Sequence, residues 1–399
     1  MTTPHAFSQV IKSASGALEP FMRFFTFYDA HVQTPDLSDF AIGNPHDMPL
    51  QGFVDALQRW CVPQNKDWFA YKMSEEGART AVCNTLRAWR GIPFEADDIL
   101  MTNGGFAAIA VALNAVVSPG DEVIFITPPW FFYEALILAA GGGPVRARIN
   151  PATFDLDLEA ISRAITRRTR AIIVNSPNNP TGKIYPPETL QALADLLTEA
   201  SARHGQPIYL LSDEAYSRIV YDGQSYPSPT TYYPYSFLLY TYGKTLLTPG
   251  QRLGYIALPP TMPDRPQVRD AVFIAQVMTG YAFPNALLQH ALPDLEKLSI
   301  DIEHLQDKRD RLTHALRDIG YKVHLPEGTF YLMPRAPLAD DWAFAATLAE
   351  QNILCLPGTV VELPGYFRLS LTANDAMIDR ALPGFARAFE QANRQPRPA

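Results

Sequence analysis

Short apolar runs alternate with helix-like patterns between about residues 80 and 260. Four of these runs are rich in isoleucine, leucine, valine, phenylalanine and tyrosine, a composition typical of buried β-strands. Strands that alternate with helices along a chain form βαβ units around a parallel sheet. This part of the chain therefore predicts an α/β fold with a mostly parallel sheet flanked by helices. The four runs are EVIFIT (122–127), AIIVNS (171–176), IYLLSD (208–213) and FLLYTY (237–242).

Each of the four runs ends close to a polar or aromatic side chain. Trp130 follows the first run, Asn175 lies at the end of the second, Asp213 ends the third and Lys244 follows the fourth. Ligands of open α/β sheets bind beyond the carboxyl ends of the strands. We therefore expect these four ends to meet at one site.

A different pattern begins near residue 290. Leucine and isoleucine recur at helical spacing after Pro293 as far as Ile319, which predicts one long helix that ends at Gly320. Strand-like TFYLMP (329–334) and YFRLSL (366–371) follow, with helical patterns around 342–351 and 375–391, so we expect a smaller α+β domain. The predicted organisation is an N-terminal helix and arm that pack on the small domain (1–45), a large domain (46–290) and the small C-terminal domain (291–399).

Composition and charge narrow the class of protein. The chain has 399 residues, of which 47% are hydrophobic, and a net charge of −8. The length favours two domains, and the negative charge disfavours binding to nucleic acid.

We expect neither a membrane span nor a secretion signal, because no apolar stretch is long enough. The cysteines are too far apart to indicate a disulfide framework, and the histidines form no metal-binding pattern, so we expect a cytoplasmic protein without a metal site. The cysteines are Cys61, Cys83 and Cys355.

Lys244 and Asp213 are the first candidates for chemistry. A lysine held in a cleft could form a Schiff base with a carbonyl cofactor, although an isolated lysine is more often a solvated surface residue. Asp213 ends an apolar strand, where a carboxylate is costly unless a cation meets it. It could cap a helix, or it could pair with the protonated ring nitrogen of pyridoxal phosphate, which needs such a partner.

Four motifs occur in a fixed order along the chain. They are NNPTG (178–182), SDEAY (212–216), YGK (242–244) with Arg252 eight residues later, and FRLSL (367–371). In this order and spacing, from about residue 40 to 390, they resemble the class I/II aminotransferases among the fold type I pyridoxal phosphate-dependent enzymes, which are aspartate aminotransferase-like. The resemblance implies a sheet of seven-stranded type in the large domain, which would be the pyridoxal phosphate-binding domain.

The resemblance also implies roles for individual residues. Lys244 would form the Schiff base and shuttle a proton, Asp213 would meet the pyridine nitrogen, and Tyr216 would hydrogen-bond the phenolic oxygen. These three are the expected catalytic residues. The other expected cofactor contacts are Asn179 at the phenolic oxygen, Trp130 stacked on the ring, and Gly105, Phe106, Thr241 and Arg252 at the phosphate.

Two further groups of residues follow from the same resemblance. Arg368 would clamp the substrate α-carboxylate, with Asn179 and Gly43 beside the substrate; a solvent-facing arginine is the alternative for Arg368. Tyr71 would reach the phosphate of the neighbouring subunit, which implies a homodimer with shared active sites.

The expected activity is transfer of the amino group of an α-amino acid to a 2-oxo acid. Relatives that act on aspartate often carry a lysine after the paired glycines, where this chain has Phe106. We therefore expect a neutral, apolar or aromatic amino acid rather than a dicarboxylic one. Four aromatic residues near the N-terminus either line the substrate pocket or belong to a buried helix: Phe24, Phe25, Phe27 and Tyr28.

Other reactions use the same lysine, aspartate and arginine. The alternatives are a β-lyase, a decarboxylase or an oxidase-like enzyme. A non-catalytic cofactor-binding regulator is more distant, since the residues before 40 leave little room for a DNA-binding region. A nicotinamide dehydrogenase is disfavoured because no G-x-G-x-x-G motif follows the first strand.

Overall fold

The computed structural model describes residues 7–394, whose elements we number in chain order. The strands are β1 (Ser38–Asp39), β2 (Ile99–Thr102), β3 (Glu122–Thr127), β4 (Gly143–Arg148), β5 (Thr169–Asn175), β6 (Tyr209–Asp213), β7 (Ser236–Thr241), β8 (Gly254–Ala257), β9 (Tyr331–Leu332), β10 (Ile353–Leu354), β11 (Leu356–Pro357) and β12 (Phe367–Ser370). The helices are α1 (Gln9–Ala17), α2 (Glu19–His31), α3 (Gln51–Trp60), α4 (Glu76–Arg90), α5 (Gly104–Val116), α6 (Tyr133–Ala139), α7 (Leu158–Ala164), α8 (Pro187–His204), α9 (Tyr242–Thr245), α10 (Arg265–Met278), α11 (Ala286–Leu295), α12 (Ile302–Ile319), α13 (Asp341–Ala349) and α14 (Asp375–Arg394). Within these described residues, no helix is both long and apolar enough to cross a membrane.

Seven strands form the central sheet, in the order β2-β8-β7-β6-β5-β3-β4. All neighbours are parallel except β8, which runs antiparallel to both β2 and β7. Helices α5, α6 and α10 pack on one face, and α7 and α8 cover the other. Because both faces are covered, the central strands are apolar along their whole length, which is the pattern seen in the four runs. The predicted mostly parallel sheet is confirmed.

Two small sheets lie outside the central one. Strands β11, β12 and β9 form an antiparallel sheet, and β1 pairs in parallel with β10, so that Ser38 lies opposite Ile353. Phe24 of α2 packs among apolar residues of 333–361. Helix α1, in contrast, packs against α6 beside the central sheet. The N-terminal arm therefore contacts both the region of the small sheets and the central sheet.

The predicted long helix after Pro293 is wrong before Ile302. Helix α11 ends at Leu295 with Pro293 in its last turn, and α12 begins only at Ile302. Asp301 caps α12 by accepting a hydrogen bond from the His304 backbone N–H at 2.9 Å. The apolar spacing continues through the break because the linking residues also face the core, as Leu298 does. The predicted end of the helix at Gly320 is confirmed.

Candidate active site

A cavity of about 620 Å³ opens at the carboxyl ends of β3, β5, β6 and β7. This is the place where the sequence pattern predicts a site. Its wall also includes residues from the arm before α3 and from strands β9 and β12. Eleven of the twelve predicted site residues line this cavity: Gly43, Gly105, Phe106, Trp130, Asn179, Asp213, Tyr216, Thr241, Lys244, Arg252 and Arg368.

Asp213 ends β6 as a buried carboxylate with hydrogen bonds to both oxygens. Oδ1 accepts the backbone N–H of Ala215 at 3.2 Å, and Oδ2 accepts the hydroxyl of Tyr133 at 2.5 Å. Burial raises the pKa of Asp213 above its ordinary value, and the Tyr133 hydrogen bond and the nearby Lys244 charge act in the opposite direction. Asp213 thus caps the turn that follows it, and it also presents a carboxylate to the cavity.

Lys244 lies in α9, directly after β7, and is half-buried in the cavity wall rather than on open surface. Its Nζ is 5.5 Å from the ring centroid of Tyr216 and 5.6 Å from that of Phe330. An amine beside two aromatic rings and close to a buried carboxylate is well placed to exchange protons with a ligand.

Arg368 is buried, so the solvent-facing alternative is wrong. Nη1 donates to Asn179 Oδ1 at 3.0 Å and Nη2 donates to the carbonyl of Ala41 at 3.2 Å. The guanidinium lies 4.1 Å from the ring centroid of Tyr331, and its Nε is buried without a partner among the described residues. Because its two acceptors are neutral oxygens, the charge of Arg368 is available to an anion such as a carboxylate.

The opposite end of the cavity is built for an anion as well. Helix α5 begins there, and its first residue Gly104 has φ +82°. A side chain at Gly104 would begin 2.8 Å from Arg252 Nη2, so the guanidinium lies directly against the start of the helix. Arg252 also donates to the Pro249 carbonyl at 2.8 Å. Unpaired backbone N–H groups at a helix N-terminus, together with an arginine, form a phosphate-binding arrangement.

The profile of one protein family, described as aminotransferase class I and II, matches residues 35–385. The chain belongs to this family. The aspartate/prephenate aminotransferase of Thermus thermophilus is 32% identical over 377 residues, which cover 90% of this chain and 93% of the relative. An aminotransferase structure from Eubacterium rectale has a TM-score of 0.90 and 30% identity, covering 98% of this chain and all of that one. A tetra mutant of Thermus thermophilus aspartate aminotransferase, complexed with tryptophan, has a TM-score of 0.79 and 28% identity, covering 96% of this chain and all of that one.

The family membership fixes the general chemistry. Class I and II aminotransferases use pyridoxal phosphate and exchange amino groups between amino acids and 2-oxo acids. This aminotransferase is therefore a pyridoxal phosphate-dependent transferase.

Aromatic residues form the wall of the aminotransferase cavity between its two cationic ends. The rings of Phe106 and Trp130 meet edge to face at a centroid distance of 5.1 Å, and Phe131 continues the wall. Phe21 of α2 contacts Phe131 from behind, at 4.7 Å. The four aromatic residues proposed as pocket residues are not among the described lining residues. Phe24 is buried in the core, and Phe25, Phe27 and Tyr28 pack partly buried against the same cluster, so α2 is a surface helix with one packed face rather than a buried helix.

Two residues of the site, Tyr133 and Tyr331, were missed by the sequence reasoning, whereas Asn175 was expected there as a strand end. Tyr133 holds Asp213, Tyr331 stacks on Arg368, and Asn175 ties two strand ends together. The Asn175 side chain donates to the Asp213 carbonyl at 2.9 Å and accepts the backbone N–H of Asn179 at 2.6 Å. Tyr133 follows Trp130 by three positions, and that position was the available signal.

Gly43 lies in the cavity wall against Tyr331. A Cβ at this position would lie 2.5 Å from the Tyr331 hydroxyl oxygen and 2.8 Å from Phe330 Cε2. Only glycine lets the backbone approach these two rings so closely.

Tyr71 is the one predicted site residue that does not line the cavity of its own chain. Its side chain is 85% exposed, and its ring lies 4.9 Å from that of Phe283. A contact between Tyr71 and a cofactor would therefore involve the cavity of another copy of the chain.

Proposed function

We propose that this aminotransferase moves the amino group of a neutral, apolar or aromatic α-amino acid to a 2-oxo acid, with pyridoxal phosphate bound at Lys244. The observation that carries the proposal is the arrangement of charges in one cavity. The cavity is lined by a half-buried lysine, by two arginines that are held by different neighbours, and by a buried carboxylate. Each of the four charges suits one part of the cofactor or the substrate.

The cavity residues fit the cofactor. The start of α5 at Gly105 and Phe106, with Arg252 and Thr241, suits the phosphate group. Asp213 suits the ring nitrogen, since a buried carboxylate with only neutral hydrogen-bond donors is stabilised by a cation. The cofactor would supply a carbonyl carbon for bonding to the substrate amine and a ring that withdraws electrons from the substrate Cα. The remaining contacts are Trp130 on the ring face, and Asn179 and Tyr216 at the phenolic oxygen.

The chain itself does the binding and the proton transfer. Arg368 would bind the substrate carboxylate through two parallel hydrogen bonds, in place of its present carbonyl and amide acceptors. Lys244 Nζ, once free, would take a proton from the substrate Cα and deliver it to the cofactor carbon on the other side of the substrate nitrogen. The aromatic wall excludes water from this exchange.

The substrate preference rests on the charges that remain after these roles are filled. The charged residues lining the described cavity are Asp213, Lys244, Arg252 and Arg368. With each assigned, no cation of this chain's cavity wall is left for a second substrate carboxylate, and the wall at Phe106 and Phe131 is aromatic. This supports an apolar or aromatic side chain on the substrate.

We further infer that the active form is a homodimer with shared sites. Tyr71 and Phe283 are exposed and contact each other, Tyr281 two residues before Phe283 lines the cavity, and α10 presents an exposed apolar face. The face consists of Phe273, Ile274, Val277 and Met278. Apolar faces of this kind usually mark an interface, and a second copy would bring Tyr71 to a neighbouring cavity. The three free cysteines support a cytoplasmic setting.

The first experiment follows the absorption spectrum of the protein with pyridoxal phosphate as single amino acids are added. We expect a Lys244-dependent band that changes with apolar or aromatic amino acids, with stoichiometric release of the matching 2-oxo acid. Lys244→Ala is the control. Release of ammonia or carbon dioxide, or consumption of oxygen, would instead identify a lyase, decarboxylase or oxidase-like enzyme.

A second experiment tests the substrate preference. Phe106→Lys adds a cation to the wall and leaves the backbone N–H of residue 106 in place. We expect kcat/KM for aspartate relative to phenylalanine to rise by about tenfold or more, the value of one charge-assisted hydrogen bond. Phe106→Leu should not produce this gain. A wild-type enzyme that prefers aspartate would contradict the proposal.

A further inference from the structure

Tyr133 stands behind the cavity wall and contacts two of the residues expected to hold the cofactor ring. It is the first residue of α6 and follows Trp130 by three positions in the segment PPWFFY. Its side chain is 2% exposed, and its hydroxyl donates to Asp213 Oδ2 at 2.5 Å. Its ring meets that of Trp130 edge to face, at a centroid distance of 5.5 Å.

The hydrogen bond from Tyr133 is one of the two that the Asp213 carboxylate accepts from the protein. A carboxylate has two oxygens, each able to accept about two hydrogen bonds. In Asp213 one oxygen takes the backbone N–H of Ala215 and the other takes the Tyr133 hydroxyl, which leaves one position on each oxygen for a ligand. Without Tyr133, Oδ2 would lose its protein donor while remaining buried, and the cost of ionising Asp213 would rise.

The other titratable groups near Asp213 influence its pKa through their charge, and they do not replace the hydrogen bond from Tyr133. Burial raises the pKa of Asp213, and Tyr133 is the strongest influence in the opposite direction. Lys244 also favours the ionised form, whereas Glu214 opposes it. Two more tyrosines, the buried Tyr216 and the half-buried Tyr226, interact with Asp213 electrostatically and do not hydrogen-bond it.

We propose that Tyr133 is a positioning residue for the cofactor: its hydroxyl keeps Asp213 ionised and oriented toward the ring nitrogen, and its ring supports Trp130 on the ring face. This rests on the proposed function, because it presumes that pyridoxal phosphate binds between Asp213 and Trp130. Tyr133 acts through these two residues and does not touch the cofactor itself.

The test compares Tyr133→Phe with Tyr185→Phe. Both tyrosines are fully buried beside the same sheet, and the Tyr185 hydroxyl has no partner among the described residues, so it is a matched control. Apo protein is titrated with pyridoxal phosphate between pH 5 and 8, and binding is followed by tryptophan fluorescence and absorbance.

We expect Tyr133→Phe to weaken cofactor binding at pH 8 by about tenfold, the value of a hydrogen bond to a charged group. Its affinity should also begin to fall at a pH about one unit higher than in the wild type, because an Asp213 without this donor protonates more readily. Tyr185→Phe should match the wild type in both respects. A purely structural role for Tyr133 would lower thermal stability without moving the pH at which affinity falls.

Two outcomes would overturn the inference. One is wild-type affinity and pH dependence in Tyr133→Phe; the other is an equal change in both variants. If the wild type forms no Lys244-dependent band with pyridoxal phosphate, the proposed function fails before the variants are compared. The failure of either idea can therefore be recognised separately.

Discussion

Arg368 illustrates how the neighbours of a binding side chain set its geometry. Hydrogen bonds to Asn179 and Ala41 fix two of its nitrogens, and the ring of Tyr331 covers one face of the guanidinium. A planar cation stacked on an aromatic ring keeps its plane when a ligand replaces the hydrogen-bond acceptors. Tyr331 thus determines the plane in which a carboxylate would be bound.

This leads to a prediction for two variants of Tyr331. Tyr331→Leu removes the stacked ring and should raise KM for the amino acid by about tenfold, since a desolvated cation–π contact is worth about 1–2 kcal/mol. Tyr331→Phe keeps the ring and should stay within about threefold of the wild-type KM. Steady-state kinetics with one amino acid and one 2-oxo acid measures both values. Equal losses in the two variants would show that the hydroxyl, not the ring, matters.

Residues within contiguous motifs could be predicted, whereas their supporting neighbours could not. Lys244, Asp213 and Asn179 stand at strand ends in recognisable segments, so the sequence indicates where they lie. Tyr133 is 80 positions from Asp213, and Tyr331 is 37 positions from Arg368. Contacts over such separations depend on strand order and on the angle at which helices pack, which local patterns do not encode.

At the scale of elements, a single capping side chain marks the start of α12 after the break from α11. Asp301 accepts the His304 backbone N–H, and its own backbone is extended with φ −70° and ψ 101°. The apolar spacing alone predicts a continuous helix, because the spacing does not change where the chain leaves α11 and begins α12. The signal for the break was an aspartate in N-cap position before a helical pattern.

We predict that Asp301→Ala lowers stability by about 1 kcal/mol, the usual value of an N-cap. Thermal or denaturant unfolding of the apo protein measures the change. Asp307→Ala, in an exposed position of the same helix, serves as the control and should change stability by less than about 0.5 kcal/mol. Similar losses in both variants would argue against a capping role.

A second element-level contact joins α12 to the segment after β6. Arg309 is 1% exposed and makes two hydrogen bonds of 2.7 Å to Asp222. The bond from Arg309 lowers the pKa of Asp222 below its ordinary value of 3.8. A lowered pKa in the folded state means that the pair stabilises the protein above pH 3.8 and that this stabilisation is lost as the pH falls through the folded-state value.

Asp222→Asn should therefore be less stable than the wild type at pH 7, by about 1 kcal/mol because Asp222 is partly exposed and screened. The difference should shrink as the pH falls below 3.8 and through the lowered pKa of Asp222, where the wild-type carboxylate also becomes protonated. Denaturant unfolding at several pH values measures it, with Asp307→Asn as control. A difference that stays constant with pH would contradict the ionic contribution.

The central strands of the fold could be predicted from the sequence, whereas the short strands and the edge strands could not. Strands β3, β5, β6 and β7 are central and buried on both faces, so each forms one continuous apolar run. Strand β4 lies at the sheet edge with exposed arginines, and β9 to β11 have two residues each, too few for any periodic pattern. Short and edge strands are defined by their partners, and those partners are far away in the sequence.

At the scale of the whole molecule, the exposed face of α10 is the most informative surface. Its opposite face packs on α5 against the central sheet, so the helix is apolar on both sides. Met278 is 75% exposed, and it lies on the same helix as three other exposed apolar residues. A helix that is apolar on both sides is expected at an interface.

We predict that Ile274→Asp converts a wild-type dimer into a monomer and weakens cofactor binding, because Tyr71 of a second copy no longer reaches the phosphate. Light scattering after gel filtration measures the mass, and fluorescence titration measures the affinity. Leu325→Asp places the same charge at another exposed apolar position and should leave the dimer intact. A wild-type protein that is monomeric at micromolar concentration would rule out the shared site.

The neutral acceptors of Arg368 have a practical consequence for any assay. Within residues 7–394 no carboxylate forms an ion pair with this guanidinium, so small anions from the buffer can occupy it. Acetate and citrate should act as competitive inhibitors against the amino acid, and phosphate and sulfate should compete with the cofactor at Arg252. Apparent affinities should therefore rise when these salts are exchanged for chloride and an amine-based zwitterionic buffer. The choice of buffer anion then becomes a direct probe of the two cationic ends of the cavity.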